Sequence, residues 1–135
     1  MANATVRWIG GKQFIGIDST NHSVVLSTPD EGVGMKPSEL LLVALAACTA
    51  VDVVEILRKK RMELSSLEIR ADGEQLPDPP WTFHKIHVHY RIAGQGLTAQ
   101  AVEQAIQLSE EKYCPVASTL RGIAEITTSF EILSG

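Results

Sequence analysis

One uninterrupted apolar segment constrains this chain more than any other feature. Residues 40–51 read Leu-Leu-Leu-Val-Ala-Leu-Ala-Ala-Cys-Thr-Ala-Val, and eleven of these twelve residues are apolar. Pro37 suits a helix start and the basic residues at 58–61 suit a helix end, so the pattern predicts a helix from Pro37 to about Arg61. A helix that is apolar all round must be covered on every side. Because one sheet of a 135-residue chain is too small for that, we expect a second copy of the subunit to pack against it.

The composition fits a single acidic domain. The chain has 135 residues and a net charge of −4, so it lacks the basic footprint of proteins that bind nucleic acids or anionic membranes. Its first residues do not have the pattern of a signal peptide, and the apolar run alone is too short to span a bilayer. We therefore predict one domain over residues 1–135, in the cytoplasm, with no nucleic acid and no membrane as partner.

The strand and helix patterns occur in groups rather than in strict alternation. Alternating and β-branched segments predict strands near residues 5–9, 13–17, 23–27, 66–74, 82–92 and 123–132. Thr98 precedes a second helix with a 3.6-residue apolar period, which is interrupted at Cys114 and resumes to about Arg121. The order βββ, α, ββ, α, β favours an α+β fold over a doubly wound sheet.

The chain has two cysteines in different settings. Cys48 lies within the apolar helix, where a thiol is usually an inert core group unless a cation or hydrogen-bond donor is near. Cys114 precedes Pro115. A residue before proline avoids the α conformation and proline suits the first helical position, so Cys114 is predicted to cap a short helix. Free N–H groups at that end are expected to lower its pKa. The spacing of the two cysteines does not show whether they meet.

Three histidines lie in one predicted strand. His87 and His89 share one face and His84 lies on the other. Two imidazoles on one face could bind a metal, but the apolar residues between them face the other way, so we interpret the histidines as part of a solvated face. The chain has no Cys-x-x-Cys, His-Glu-x-x-His, phosphate loop or dinucleotide fingerprint. We predict neither a metal nor a cofactor.

The flanks of both cysteines resemble one protein family. Residues 36–49, with Lys-Pro-Ser-Glu-Leu at one end and Ala-Ala-Cys-Thr at the other, resemble the first cysteine helix of the OsmC/Ohr family of osmotically induced and organic-hydroperoxide-resistance proteins. Residues 111–116, Glu-Lys-Tyr-Cys-Pro-Val, resemble its second cysteine site. The segments at residues 7–9, 14–16 and 51–57 are more similar to the OsmC-like branch typified by YhfA than to the Ohr enzymes. The resemblance covers nearly the whole chain.

The resemblance implies a fold and a chemistry. The fold is α+β, with antiparallel sheets wrapped around central helices in an intertwined homodimer. In the implied thiol peroxidase, Cys48 attacks an organic hydroperoxide and becomes a sulfenic acid, and Cys114 condenses with it to form a disulfide. A dithiol such as a dihydrolipoyl group then reduces the disulfide.

The residues expected to activate Cys48 depart from the family pattern. Peroxidase members hold an arginine against the first thiolate with a glutamate directly after the helix-start proline. Here Ser38 occupies that position and Glu39 follows it, about 100° further round the helix. Lys12 is the nearest basic residue to the expected arginine position, and lysine lacks the bidentate fork of arginine.

Two further residues are candidates for a supporting role. Arg121 lies on the same helix face as Cys114 and is a second possible cation. Asp52 lies one turn after Cys48, where its negative charge would oppose a thiolate. Alternatively, its carboxyl group would bind substrate, accept a proton, or serve only as a partner for a buried group. Because the activating residues are altered, a non-enzymatic redox sensor or a binding protein for an apolar small molecule stays open as the alternative function.

Overall fold

The computed structural model describes residues 1–134. Their contacts divide the chain into two compact units, Met1–Leu41 and the part from Leu42 onward. The helices and strands follow one another as β1 Ala4–Gly10, β2 Gln13–Asp18, β3 Ser23–Ser27, α1 Pro37–Lys59, β4 Glu63–Gln75, β5 Phe83–Gln95, α2 Ala99–Leu108, a π-helical turn Ser109–Tyr113, α3 Pro115–Leu120 and β6 Glu125–Ile132. The boundary between the units falls within α1, and each unit has its own sheet.

The N-terminal unit is a three-stranded meander, and its strands lie where the sequence predicts them. Strand β1 pairs antiparallel with β2, and β2 pairs antiparallel with β3. Gly10 and Gly11 form the first turn with φ values of 118° and 50°, a region that side-chain-bearing residues avoid. Glu31, in the loop after β3, fixes this turn by accepting hydrogen bonds from the Lys12 N–H at 2.9 Å and from Gln13 Nε2 at 3.0 Å.

The second sheet differs from the expectation. Strands β4 and β5 are antiparallel, but β5 and β6 run parallel, in the order β4-β5-β6. The prediction of antiparallel sheets is therefore wrong for the last pair. The physical reason is the connection, because a tight hairpin joins antiparallel neighbours, whereas parallel neighbours need a long crossover. Here α2, the π-helical turn and α3 form that crossover.

Within the single chain, only one side of helix α1 is covered. It begins at Pro37, as predicted, and its buried residues recur every fourth position at Leu45, Thr49, Val53 and Leu57. The opposite side carries an apolar stripe, which we call the exposed stripe of α1. Its members are Val43, Ala47, Val51 and Val54. The sequence predicts a second subunit because an apolar helix must be covered on every side. The uncovered valines of α1 agree with that expectation.

Length and composition alone would also allow α1 to cross a membrane. The helix has 23 residues, and its most apolar 18-residue window has a mean hydropathy of 2.3. The apolar run is thus not limited to residues 40–51, because apolar residues continue past Asp52 to Leu57. Core helices of water-soluble proteins have the same properties, and the buried side of α1 packs into the core described next.

The core of the second unit joins α1, β5 and α2. The apolar face predicted for β5 is buried through Ile86, Val88 and Tyr90. Helix α2 has the predicted N-cap, because Thr98 Oγ1 accepts a hydrogen bond from the Ala101 N–H at 3.1 Å. Its predicted apolar face is also buried in this cluster. Cys114 belongs to the same cluster and Cys48 packs against it, so both cysteines belong to one core.

Candidate thiol redox site

Cys114 caps helix α3 as the sequence predicts. Its backbone is extended, with φ −84° and ψ 107°, and Pro115 follows as the first helical residue. The Cys114 Sγ accepts a hydrogen bond from the Ala117 N–H at 3.3 Å. Only 2% of the residue is exposed. The Cys-Pro sequence therefore places a thiol at a helix start, but inside the core.

Burial changes the acidity that was expected of this thiol. Loss of solvent and the neighbouring Cys48 thiol raise the pKa of Cys114 to about 11, although the N–H groups of Ala117 and Val116 act in the opposite direction. The prediction of a lowered pKa is therefore wrong. It considered the helix end alone, whereas desolvation penalises a thiolate wherever the fold buries it. At neutral pH this thiol keeps its proton.

The two cysteines lie in the same core, although they are far apart in the sequence. Cys48 packs against the cluster that contains Cys114 and is close enough to raise the pKa of Cys114, and both cysteines are free thiols. Cys48 is half-buried in α1, while Cys114 is buried at the start of α3. Two thiols in one core, one of them partly accessible to solvent, are candidates for oxidation to a disulfide. This pair is the central feature of the candidate site.

A buried serine connects the segments that carry the two cysteines. The Ser109 Oγ donates a hydrogen bond to Asp52 Oδ2 at 2.7 Å, and Asp52 lies one helical turn after Cys48. The Ser109 carbonyl accepts a hydrogen bond from the Cys114 N–H at 2.8 Å. We call this arrangement the Asp52–Ser109 clamp. Of the roles considered for Asp52, the structure shows the one of partner for a buried group, which is the Ser109 hydroxyl.

The clamp depends on a π-helical turn that the sequence pattern did not reveal. Residues 109–113 form a wider turn than the α-helix before them, and such turns occur often at functional sites. The only local signal for a break was Pro115. Ser109 was missed because a single serine at the end of an apolar helix pattern carries no spacing signal of its own.

Tyr90 is a further residue that sequence reasoning placed only in the core. It is fully buried on β5, and its hydroxyl has no hydrogen-bond partner within residues 1–134. The Thr49 hydroxyl lies close enough to lower the pKa of Tyr90, but its Oγ1 donates to the Ala46 carbonyl at 3.1 Å. Desolvation outweighs this effect and raises the pKa of Tyr90 to about 12, and charges on Glu110, Cys114 and Asp52 would act in the same direction. The phenol is therefore protonated, and it belongs to the same core cluster as Cys114.

The other predicted supporting residues occupy polar positions. In the N-terminal unit, Lys12 forms an exposed ion pair with Asp30 at 3.0 Å, and Glu39 forms one with Lys36 at 2.9 Å. In the second unit, the Arg121 guanidinium donates to the Glu110 carbonyl. Burial raises the pKa of the Glu110 carboxyl, and the charge of Arg121 partly offsets this.

His87 and His89 form a polar ladder on the outer face of β5. His87 contacts Thr127 Oγ1 at 2.6 Å and Ser129 Oγ at 2.7 Å, and His89 also contacts Ser129 Oγ at 2.6 Å. Both imidazoles therefore have hydroxyl partners on β6. Within residues 1–134, no cluster of three or more His, Cys, Asp or Glu side chains has the geometry to hold a metal ion.

The acidity of Cys114 predicts a pH dependence. The pKa of Cys114 is about 11. At pH values below this, the fraction of Cys114 present as thiolate rises about tenfold for each unit by which the pH increases. We expect the rate at which an oxidised Cys48 forms a disulfide with Cys114 to rise with this slope between neutral and moderately alkaline pH. Stopped-flow measurement after one equivalent of oxidant would give the rate. A rate that does not change over this range would contradict the assignment of Cys114 as the protonated partner.

Comparisons with known proteins agree with this geometry. Residues 28–129 match the family described as OsmC-like protein. The chain is 34% identical over 131 residues to protein YhfA of Escherichia coli K12, covering 97% of this chain and 98% of YhfA. A crystal structure of a hypothetical protein from Aquifex aeolicus VF5 superposes with a TM-score of 0.89 at 28% identity, covering 98% of this chain and 96% of the other. The organic hydroperoxide resistance protein OhrB of Bacillus subtilis has the same fold, with a TM-score of 0.62 at 20% identity and 98% coverage of both chains.

These matches confirm the resemblance that the two cysteine motifs suggested. The matched region includes both cysteines, the clamp and Tyr90. The α+β architecture with two small sheets and helices is likewise that of OsmC-like structures. The chain belongs to the OsmC family of OsmC-like proteins.

Proposed function

We propose that this protein is a thiol peroxidase that reduces organic hydroperoxides. The observation that carries the proposal is that the free thiols of Cys48 and Cys114 lie together in one core, with Cys48 close enough to raise the pKa of Cys114. A half-buried thiol beside a second, buried thiol is the arrangement needed for oxidation followed by resolution. OhrB, which shares this fold, is named for resistance to organic hydroperoxides.

The proposed cycle has three steps. The Cys48 thiolate attacks one peroxide oxygen, the O–O bond breaks, and the alkoxide leaves as an alcohol after taking up a proton. The Cys114 sulfur then attacks the Cys48 sulfenic acid, which loses its oxygen as water and leaves a disulfide. A dithiol such as a dihydrolipoyl group reduces the disulfide by exchange and becomes a disulfide itself. No metal or cofactor is required.

The activating residues are part of the proposal. A cation near Cys48 would favour its thiolate, and Lys12 and Arg121 are the two that we propose for this role. Glu39 would orient the cation, and Asp52 would hold the clamp. Two free cysteines are compatible with the reducing cytoplasm, which is where we place the protein.

Peroxide consumption tests the proposed activity. Wild-type protein should consume cumene hydroperoxide with dihydrolipoamide as reductant, and should consume it faster than hydrogen peroxide. The matched control is the same protein after alkylation of its thiols. If the wild type shows no turnover while both thiols titrate and the fold is intact, the peroxidase proposal is wrong.

One observation favours a second candidate function. The high pKa of Cys114 slows any step that requires its thiolate. A protein whose disulfide forms slowly and is not reduced rapidly would report oxidation without catalytic turnover of hydroperoxide. Alternatively, the same fold would bind an apolar small molecule without a reaction. Stoichiometric oxidation by hydroperoxide without catalytic consumption would favour this non-enzymatic function.

We further propose that two copies form a homodimer through the exposed stripe of α1. Val51 is 69% exposed and Val43 is 46% exposed in the single chain, and a stripe of valines in water favours association. Val51→Glu places a charge on the stripe without touching the buried side of α1. We expect the wild type to sediment as a dimer and the variant as a monomer.

The control for this experiment is Gln107→Glu, which adds the same charge at an exposed position of α2. It should leave the dimer intact in sedimentation velocity. A monomeric wild type, or a Val51→Glu variant that still sediments as a dimer, would contradict the assignment of the interface.

A further inference from the structure

Tyr90 is a buried hydrogen-bond donor without an acceptor. The residue is fully buried, and its hydroxyl has no partner within the part of the chain that the structure describes. A buried hydroxyl without a partner is destabilising, so such a group requires an explanation. Phenylalanine would fill the same space without that cost. The hydroxyl therefore has the character of a functional group whose acceptor forms only during the reaction.

The surroundings of the hydroxyl indicate which acceptor that is. Tyr90 and Cys114 belong to the same cluster of buried residues, and a negative charge on Cys114 would raise the pKa of the phenol. In the reduced protein the Cys114 thiol is neutral and a weak acceptor. Its Sγ already accepts one hydrogen bond, from the Ala117 N–H. When the thiol loses its proton, the sulfur becomes a strong acceptor inside a dry core.

We propose that the Tyr90 hydroxyl donates a hydrogen bond to the Cys114 thiolate as that thiolate forms, and so promotes resolution of the Cys48 sulfenic acid. This inference rests on the proposed function. The carboxylates of Asp52 and Glu110 also lie near the phenol. Negative charge around the phenol keeps it protonated, so it remains a donor when the thiolate appears.

The assisted step is balanced without another reagent. The Cys114 thiol releases its proton, and its sulfur forms the S–S bond with Cys48 while the S–O bond of the sulfenic acid breaks. The leaving hydroxide takes up a proton and departs as water. The Cys114 sulfur is oxidised and the Cys48 sulfur is reduced, each by one electron equivalent. Tyr90 keeps its own proton throughout.

Tyr90→Phe removes the donor and leaves the ring in place. The experiment adds one equivalent of cumene hydroperoxide in the presence of dimedone, which traps the sulfenic acid, and measures adduct and disulfide by mass spectrometry. We expect the ratio of disulfide to adduct to fall about tenfold in the variant, since a hydrogen bond to a charged group contributes about this much to a rate. Tyr113→Phe is the matched control, because that phenol is 51% exposed, and it should leave the ratio unchanged.

Two further measurements separate the possible failures. In a Cys114→Ser background, Tyr90→Phe should not change the rate at which Cys48 is oxidised, because the donor acts on Cys114 alone. Thermal unfolding should show that Tyr90→Phe is as stable as the wild type or more stable. If the wild type forms neither adduct nor disulfide, the proposed function fails. If the wild type forms both and Tyr90→Phe gives the same ratio, the role of Tyr90 is wrong while the peroxidase stands.

Discussion

Cys48→Ser is expected to abolish hydroperoxide reduction, with turnover falling by about a thousandfold or more. A serine hydroxyl is not ionised at neutral pH and does not attack the peroxide oxygen, so no sulfenic acid forms. Serine is close to cysteine in size, and Cys48 is only half-buried, so the fold should be retained. The measurement is consumption of cumene hydroperoxide with dihydrolipoamide, and circular dichroism checks the fold.

The companion variant Cys114→Ser separates the two thiols. Cys48 is still oxidised in this variant, but its sulfenic acid has no resolving partner and accumulates. We expect one stoichiometric oxidation event, visible as a dimedone adduct, and loss of dithiol-dependent turnover. Retained turnover in Cys48→Ser, or a stable adduct on Cys114 in that variant, would reverse the assigned roles.

The second large effect is expected when the Asp52–Ser109 clamp is removed. Ser109→Ala removes the hydroxyl and leaves a half-buried carboxylate without its partner. The segment that precedes Cys114 then loses its side-chain hydrogen bond to α1. We expect disulfide formation to slow by about a hundredfold, because small misplacements of reacting groups have effects of this size. The reduction potential of the Cys48/Cys114 couple should rise, because the clamp also favours the geometry of the disulfide.

A conservative variant distinguishes a positioning role from general instability. Asp52→Asn keeps an oxygen that can accept the Ser109 hydrogen bond, so it should form the disulfide at close to the wild-type rate. Asp52→Leu removes that acceptor and should resemble Ser109→Ala. Ser118→Ala, at an exposed position of α3, is the control. Equal rates in Asp52→Asn and Asp52→Leu would show that the hydrogen bond does not position the thiols.

The sequence was a reliable guide wherever the physics is local. Pro37 marked the start of α1, and Thr98 marked the cap of α2. The Cys-Pro pair correctly placed Cys114 at the start of α3, because the proline ring restricts the residue before it. The alternation in β5 correctly separated its buried face from the polar ladder of histidines.

The sequence failed wherever the outcome depends on residues far apart along the chain. The pKa of Cys114 follows from burial beneath other elements and from Cys48, neither of which the Cys-Pro pair encodes. The parallel pairing of β6 depends on the path of the helical crossover. Ser109 and Tyr90 are ordinary residues in their own segments, and only the fold brings them to the thiols.

The most direct test of the two-cysteine site is peptide mapping after exposure to a single equivalent of cumene hydroperoxide. We expect the protein to lose two hydrogen atoms in mass and to yield a peptide in which Cys48 is joined to Cys114. The thiols should return on addition of dihydrolipoamide. If both cysteines are recovered as free thiols, or if each carries its own oxygen and no bond joins them, the two-cysteine site proposed for this protein is incorrect.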